Sequence, residues 1–179
     1  EVIYEDEKVV VKTIPLKHRV YTNGFLFAEK IGDRKLNIDA VQEFEIDTCY
    51  YQNIKNGKDI TLEDGRVIEN QLLTFDPIAP KSYAFCSDTA YDERIIPNIE
   101  NADILYHEAT FLDSEQHLSE KTMHSTAKEA ALIAQKANVG QLILGHYSTR
   151  YESIQKFKEE AETIFPNVLL ADDGVSFEF

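Results

Sequence analysis

Between Ser82 and Thr89 the chain reads Ser-Tyr-Ala-Phe-Cys-Ser-Asp-Thr, small and aromatic residues that predict a buried strand closing in a Ser-Asp-Thr turn. Such a strand delivers one carboxylate, Asp88, to the edge of a sheet. Packing has no use for an acid there, whereas a metal site does. Downstream, the chain settles into alternating strand and helix patterns. Ala102 to Tyr106 is an apolar strand running straight into His107-Glu108. Thr126-Ala127-Lys128-Glu129 spells a capping box that opens an alanine-rich helix to about Ala137, with His124 just before it. Val139 to Leu144 is the next strand and ends at Gly145-His146. Tyr151 to Phe165 carries Ile154, Phe157, Ala161 and Ile164 at helical spacing, a core face. Val168 to Ala171 and Val175 to Phe179 read as closing strands around Asp172-Asp173-Gly174. The pattern predicts an α/β (α+β) fold that gathers Asp88 and several histidines at element ends.

Upstream, Lys8 to Ile14 alternates and is rich in valine, as a strand does. Pro15-Leu16-Lys17-His18-Arg19-Val20 leads to Thr22-Asn23-Gly24, a turn signal, and Phe25-Leu26-Phe27 resumes a strand. His18 therefore sits in the connection between two strands, where position alone makes it a surface histidine. From Lys30 to Pro77 the pattern loosens. Ile38 to Ile46 predicts a short helix, Asn56-Gly57 a turn, and Ile60 to Ile68 a hairpin with Asp64-Gly65 at its tip. The segment reads as an insertion projecting from the sheet, and its mixed charges suit a solvated excursion.

The 179 residues suffice for one domain with a sizeable core, or for a large piece of something longer. A start at Glu1, with a strand-like pattern almost at once, suggests a chain cut from a larger protein. A net charge of −14 argues against a generally basic surface that coats nucleic acid, and confines any RNA contact to a local patch. Cations at a metal site would supply positive charge there. Two cysteines, Cys49 and Cys86, imply a reduced, cytoplasmic setting without a disulfide framework. No signal peptide and no apolar run of transmembrane length is present, so no membrane partner is expected.

Histidine nitrogen and aspartate oxygen are the ligands zinc accepts when cysteine is absent. Metals held ~3.5–4 Å apart can share one bridging carboxylate. Asp88 suits the bridge, and His18 and His146 suit terminal ligands. Taken singly, a histidine after a strand is more often a satisfied structural residue; several at neighbouring element ends argue for a site. His124 can be a ligand, a proton donor or a helix-flanking structural residue. A nearby glutamate would raise its pKa and fix its tautomer, and Glu108 is the candidate partner. His107 would then face the opposite side of its strand, as buried structure. His117 lies in a polar stretch and receives no role.

The run Ser87-Asp88-Thr89, His107-Glu108-Ala109-Thr110, His124-Ser125-Thr126 and Gly145-His146-Tyr147-Ser148-Thr149-Arg150-Tyr151 resembles the ribonuclease Z family. These are the transfer-RNA 3′-processing endonucleases of the metallo-β-lactamase superfamily. Pro15-Leu16-Lys17-His18-Arg19-Val20 with Gly24-Phe25 resembles the family's upstream metal-histidine motif. The resemblance implies two zinc ions per complete site, His18 on one, His146 on the other and Asp88 bridging them. It implies that His124, oriented by Glu108, protonates the leaving ribose 3′-oxygen of precursor tRNA. Hydrolysis would leave a 3′-hydroxyl on the tRNA and a 5′-phosphate on the trailer. The implied fold is a metallo-β-lactamase αββα sandwich, of which residues 1–179 would be the C-terminal half, and the implied assembly is a homodimer. Residues 30–77 fall where the family carries a tRNA-gripping arm. Lys30, Arg34, Lys35, Lys55, Lys58 and Arg66 would touch phosphates there, as would Arg150.

Two departures accompany the resemblance. Acidic residues interleave the arm, whose tip is poor in Gly, Pro and basic residues. The family's His-x-His-x-Asp-His motif is missing from these 179 residues. The expectation is therefore an incomplete site that holds zinc weakly, inactive without an N-terminal half of the same protein. The cut would also expose apolar surface and favour self-association. The alternatives are a non-catalytic scaffold or interaction module, and a metallo-hydrolase of another phosphodiester.

Overall fold

The structure is a computed structural model that describes residues 1–178. In chain order it begins with β1 (Val2–Glu5), β2 (Val9–Leu16) and β3 (Thr22–Glu29). Short elements follow: β4 (Lys35–Leu36), α1 (Ile38–Glu43), α2 (Tyr51–Lys55), β5 (Ile60–Thr61), β6 (Val67–Ile68), α3 (Asn70–Leu73) and β7 (Thr74–Phe75). Then come β8 (Ser82–Cys86), α4 (Ile96–Ile99), β9 (Ile104–Glu108), α5 (Gln116–Thr122), α6 (Ala127–Lys136), β10 (Gln141–Gly145), α7 (Gln155–Glu162) and β11 (Val168–Leu170). Contacts divide the chain into two compact units, one of Glu1–Glu29 with Lys81–Phe179 and one of Lys30–Pro80.

The larger unit is built on a seven-stranded sheet in the order β1-β2-β3-β8-β9-β10-β11. β8, β9, β10 and β11 run parallel, with Cys86 beside His107 and Glu108 beside Gly145. Their carboxyl ends therefore share one rim, the side of an open α/β sheet where ligands bind. β3 is antiparallel to β8, pairing Phe25 with Phe85, and β2 is antiparallel to β3. That geometry carries the β2–β3 connection, and His18 with it, to the same rim.

One face of the sheet is sealed. Ile14, Ala84, Cys86, Leu105, Leu142 and Leu144 meet the apolar faces of α6 and α7, and none is exposed. α6 can lie close because its buried stripe is Ala127, Ala130, Ala131, Ile133 and Ala134, mostly methyl groups. Its start is the capping box read from the sequence: Thr126 Oγ1 accepts from the Glu129 amide at 3.1 Å, and Glu129 Oε2 accepts from the Thr126 amide at 2.9 Å.

The opposite face carries a ladder of rings. Phe27 stacks on Tyr83 at 6.0 Å and Phe85 on Tyr106 at 4.8 Å. The tail covers part of this face, with Phe177 and Ala171 closing a cleft against Tyr83, Ile104, Tyr106 and Ile143.

The unit of residues 30–80 has its own small core of Val41, Ile46, Ile54, Ile60, Ile68 and Leu73. β4 pairs with β7, and β5 with β6 across the expected Asp-Gly tip. Buried Asn70 ties it together, donating to the carbonyls of Ile54 at 2.7 Å and Lys58 at 3.0 Å.

Two expectations differ. Thr22-Asn23-Gly24 is the start of β3, paired with Leu16, Pro15 and Ile14, and not a turn. Gly24 serves close approach, because a Cβ there would strike the Phe85 carbonyl oxygen. Residues 175–178 form no strand, and Phe179 lies outside the described residues. Gly174, at φ +79°, turns the tail away from β11 and across the sheet. Among the described residues, no helix is long and apolar enough to cross a membrane.

Candidate active site

The rim gathers four loops. The Ser87–Thr89 turn follows β8, Ala109–Phe111 follows β9, Met123–Ser125 precedes α6 and His146–Tyr147 follows β10. Asp88, Met123 and His146 adopt φ of 56°, 60° and 61°, left-handed values that L residues rarely hold and that concentrate at functional sites. Backbone bonds lock the β2–β3 connection to the Asp88 turn: the Ala90 amide donates to the Lys17 carbonyl at 2.8 Å, and the Lys17 amide to Thr89 Oγ1 at 3.2 Å.

Glu108 is the hub. It is fully buried, and every bond its carboxylate receives comes from a rim loop. Its Oε1 accepts from the Thr89 amide at 2.7 Å and meets His124 Nδ1 at 2.7 Å. Its Oε2 accepts from the Thr110 hydroxyl at 2.7 Å and the Ser125 amide at 3.1 Å. Burial pushes the carboxyl up, but the bonds from His124, Thr110 and Ser125 and the nearby imidazole outweigh burial and hold it below its ordinary value. The bond to Glu108 raises His124 in turn, against partial burial.

His124 lies between two other imidazoles, with ring centroids 5.1 Å from His18 and 5.2 Å from His146. His18 Nδ1 bonds the Met123 carbonyl at 2.9 Å, leaving Nε2 for a ligand. His146 Nδ1 contacts the Thr110 hydroxyl at 2.9 Å, and its Nε2 faces Asp88 Oδ1 at 3.4 Å. Donor atoms of His18, Asp88 and His124 lie within 4.8 Å of one another, as do those of Glu108, His124 and His146. Imidazole nitrogens oriented through their second nitrogen, beside a carboxylate, are the donor set zinc takes. The residues present fit a metal.

The structure thus brings together His18, Asp88, Glu108, His124 and His146. His107 is buried on the opposite side of β9, its Nδ1 on the Glu108 carbonyl at 2.7 Å and its Nε2 without a partner among the described residues. Burial holds its pKa down. The basic candidates differ among themselves. Arg150 bonds Glu115 and Ser148, each at 3.1 Å, and lies 5.0 Å over the Phe111 ring. Arg34 is tied to Thr74 at 2.7 Å and Asp76 at 2.6 Å, and Arg66 to Asp64 at 2.6 Å. Lys35 and Lys58 are exposed and Lys55 is half-buried; Lys30 belongs to the same unit.

Sequence reasoning missed Thr110, Thr89, Ser125 and Met123 as positioning residues. The first three lie inside the quoted motifs, one or two positions from a named residue, which was the available signal. Nothing marks Met123, which acts through its carbonyl.

No protein-family model matches the chain. Over 171 residues it is 46% identical to a ribonuclease Z of Phocaeicola vulgatus, an alignment covering 96% of this chain and 55% of that protein. A ribonuclease Z of Parabacteroides distasonis is 44% identical over 173 residues, covering 97% of this chain and 57% of that one. Nearly the whole of this chain is thus similar to ribonuclease Z proteins. It spans about half the length of the curated ribonuclease Z relatives it matches. The fold is shared with a metallo-β-lactamase fold protein from Bacillus subtilis, at TM-score 0.63 and 18% identity over 98% of this chain and 51% of that one. The rim therefore sits on a metallo-β-lactamase fold.

Proposed function

We propose that this chain carries the proton-transfer half of a zinc-dependent endoribonuclease that matures the 3′ end of precursor tRNA in the cytoplasm. The observation that carries this reading is the buried Glu108 carboxylate, bonded to His124 at 2.7 Å beside His18, Asp88 and His146. An acid with no packing value has been buried and satisfied from four directions, and its outlet is a raised histidine.

His124 keeps its proton because Glu108 stabilises the imidazolium, and it gives that proton to the departing ribose 3′-oxygen. Glu108 holds the ring through Nδ1, so Nε2 is the donating atom. His18 and Asp88 would hold one zinc and Asp88 and His146 a second, with Asp88 between them. Bound zinc supplies Lewis acidity toward the phosphoryl group and lowers the pKa of water. Thr110 keeps the His146 ring turned with Nε2 toward Asp88.

The His-x-His-x-Asp-His ligands absent from these 179 residues would come from an N-terminal half of the same protein, and the active species would be a homodimer. Residues 30–80 would be the arm that meets tRNA. They hold ten acidic side chains against six basic ones, so phosphate contact there rests on Lys35, Lys55 and Lys58 more than on the paired arginines. The test is an assay of the full-length protein on a precursor tRNA with and without chelator. The expected result is a metal-dependent cut after the discriminator nucleotide, lost in His124→Ala. A full-length protein that binds tRNA without cutting it would favour the scaffold alternative, and one that cuts other phosphodiesters equally well would favour the broader hydrolase.

A further inference from the structure

A cleft of about 510 Å³ adjoins His124, walled by Lys17, Tyr91, Gln116, Glu120, Met123 and Glu129. Its chemistry is mixed in an ordered way. Tyr91 supplies a ring, and that ring is anchored: its hydroxyl donates to Glu93 Oε1 at 2.6 Å and receives Lys136 Nζ at 3.2 Å. Gln116 and Glu120 stand four apart on α5 and so share one helix face. Among the described residues, neither side chain has a hydrogen-bond partner. Met123 adds a soft apolar surface next to the acid, and Lys17 a cation next to His18.

A fixed aromatic wall, an amide that both donates and accepts, a carboxylate and a lysine together match a nucleobase with its ribose-phosphate. We infer that this cleft takes the base of the nucleotide whose 3′-oxygen leaves, stacking it on Tyr91 and reading its edge with Gln116 and Glu120. The inference rests on the proposed reaction, because His124 protonates the leaving oxygen and so marks the leaving-group side. A carboxylate accepts from an exocyclic amine and repels a carbonyl, so adenine or cytosine is preferred there over uracil.

The experiment uses the full-length protein and four precursor tRNAs that differ only in the nucleotide 5′ to the cut. The wild type is expected to show a lower KM for A and C than for U. Tyr91→Ala raises KM roughly five- to a hundredfold for every substrate, the worth of one stacked base, and Tyr91→Phe recovers most of that loss. Glu120→Gln narrows the spread between A or C and U, which loss of folding would not do. Equal KM for all four nucleotides in the wild type, or an undiminished spread between A or C and U in Glu120→Gln, overturns the inference while leaving the endonuclease reading intact. A wild type that cuts none of the four overturns both.

Discussion

The two faces of the seven-stranded sheet are built from one set of strands and obey different rules. On the sealed face, alanines of α6 and large aliphatics of β9 and β10 exclude water completely. On the other, rings stack in pairs while Phe27 stays 41% exposed. The sealed face is where this chain's own stability resides. The ringed face holds apolar surface in a fixed arrangement without enclosing it, and exposed apolar patches of that kind generally mark interaction sites. The strand-end rim, where Glu108 collects its bonds, is the border between them.

The sharpest test of this contrast is Phe157→Ala on the sealed face, expected to cost about 3–5 kcal/mol by urea denaturation. Tyr83→Ala on the ringed face should cost far less and should weaken self-association in sedimentation. Equal losses at the two positions would erase the distinction. Next in size is Gly24→Ala, where the new methyl meets the Phe85 carbonyl and the β3–β8 register must shift. About 1–3 kcal/mol is expected, with Gly32→Ala, in open space, as the quiet control. Thr126→Ala removes the cap of the helix that seals the first face, worth about 1 kcal/mol in the same measurement.

The smallest effect concerns the border. Glu108 is depressed in the fold, so its contribution is present above its unfolded value of 4.5 and is lost as pH falls through the folded one. His124 is raised, so its contribution is present below 6.5 and is lost as pH rises through the folded value. Stability should therefore show a plateau between acid and neutral pH that flattens in Glu108→Gln. A urea midpoint in Glu108→Gln with the wild-type pH profile would place the dependence elsewhere.

Much of the sealed face was legible in the chain. The apolar spacing of Phe157 and Ala161 and the Thr126-to-Glu129 cap are local patterns, and local patterns survive folding. The rim was legible in part, because Asp88, His124 and His146 stand at element ends that periodicity can locate. What stayed hidden was non-local. Gly24 reads as a turn residue until the Phe85 carbonyl beside it is known, and Pro15 looks like a strand breaker until it is seen paired with Asn23. The tail from Val175 alternates like a strand but lies against Ile104 and Ile143 through Phe177, outside the sheet order. Met123 shows no pattern, since a carbonyl is common to every residue.

The Thr110 hydroxyl owns a single hydrogen, and it stands between an ionised acid and a ring nitrogen. Given to Glu108, that hydrogen obliges the His146 ring to carry its own on Nδ1. The second Glu108 oxygen imposes the same handedness on His124. Two imidazoles on unconnected loops are thereby both held through Nδ1, their orientation chosen jointly by one buried carboxylate.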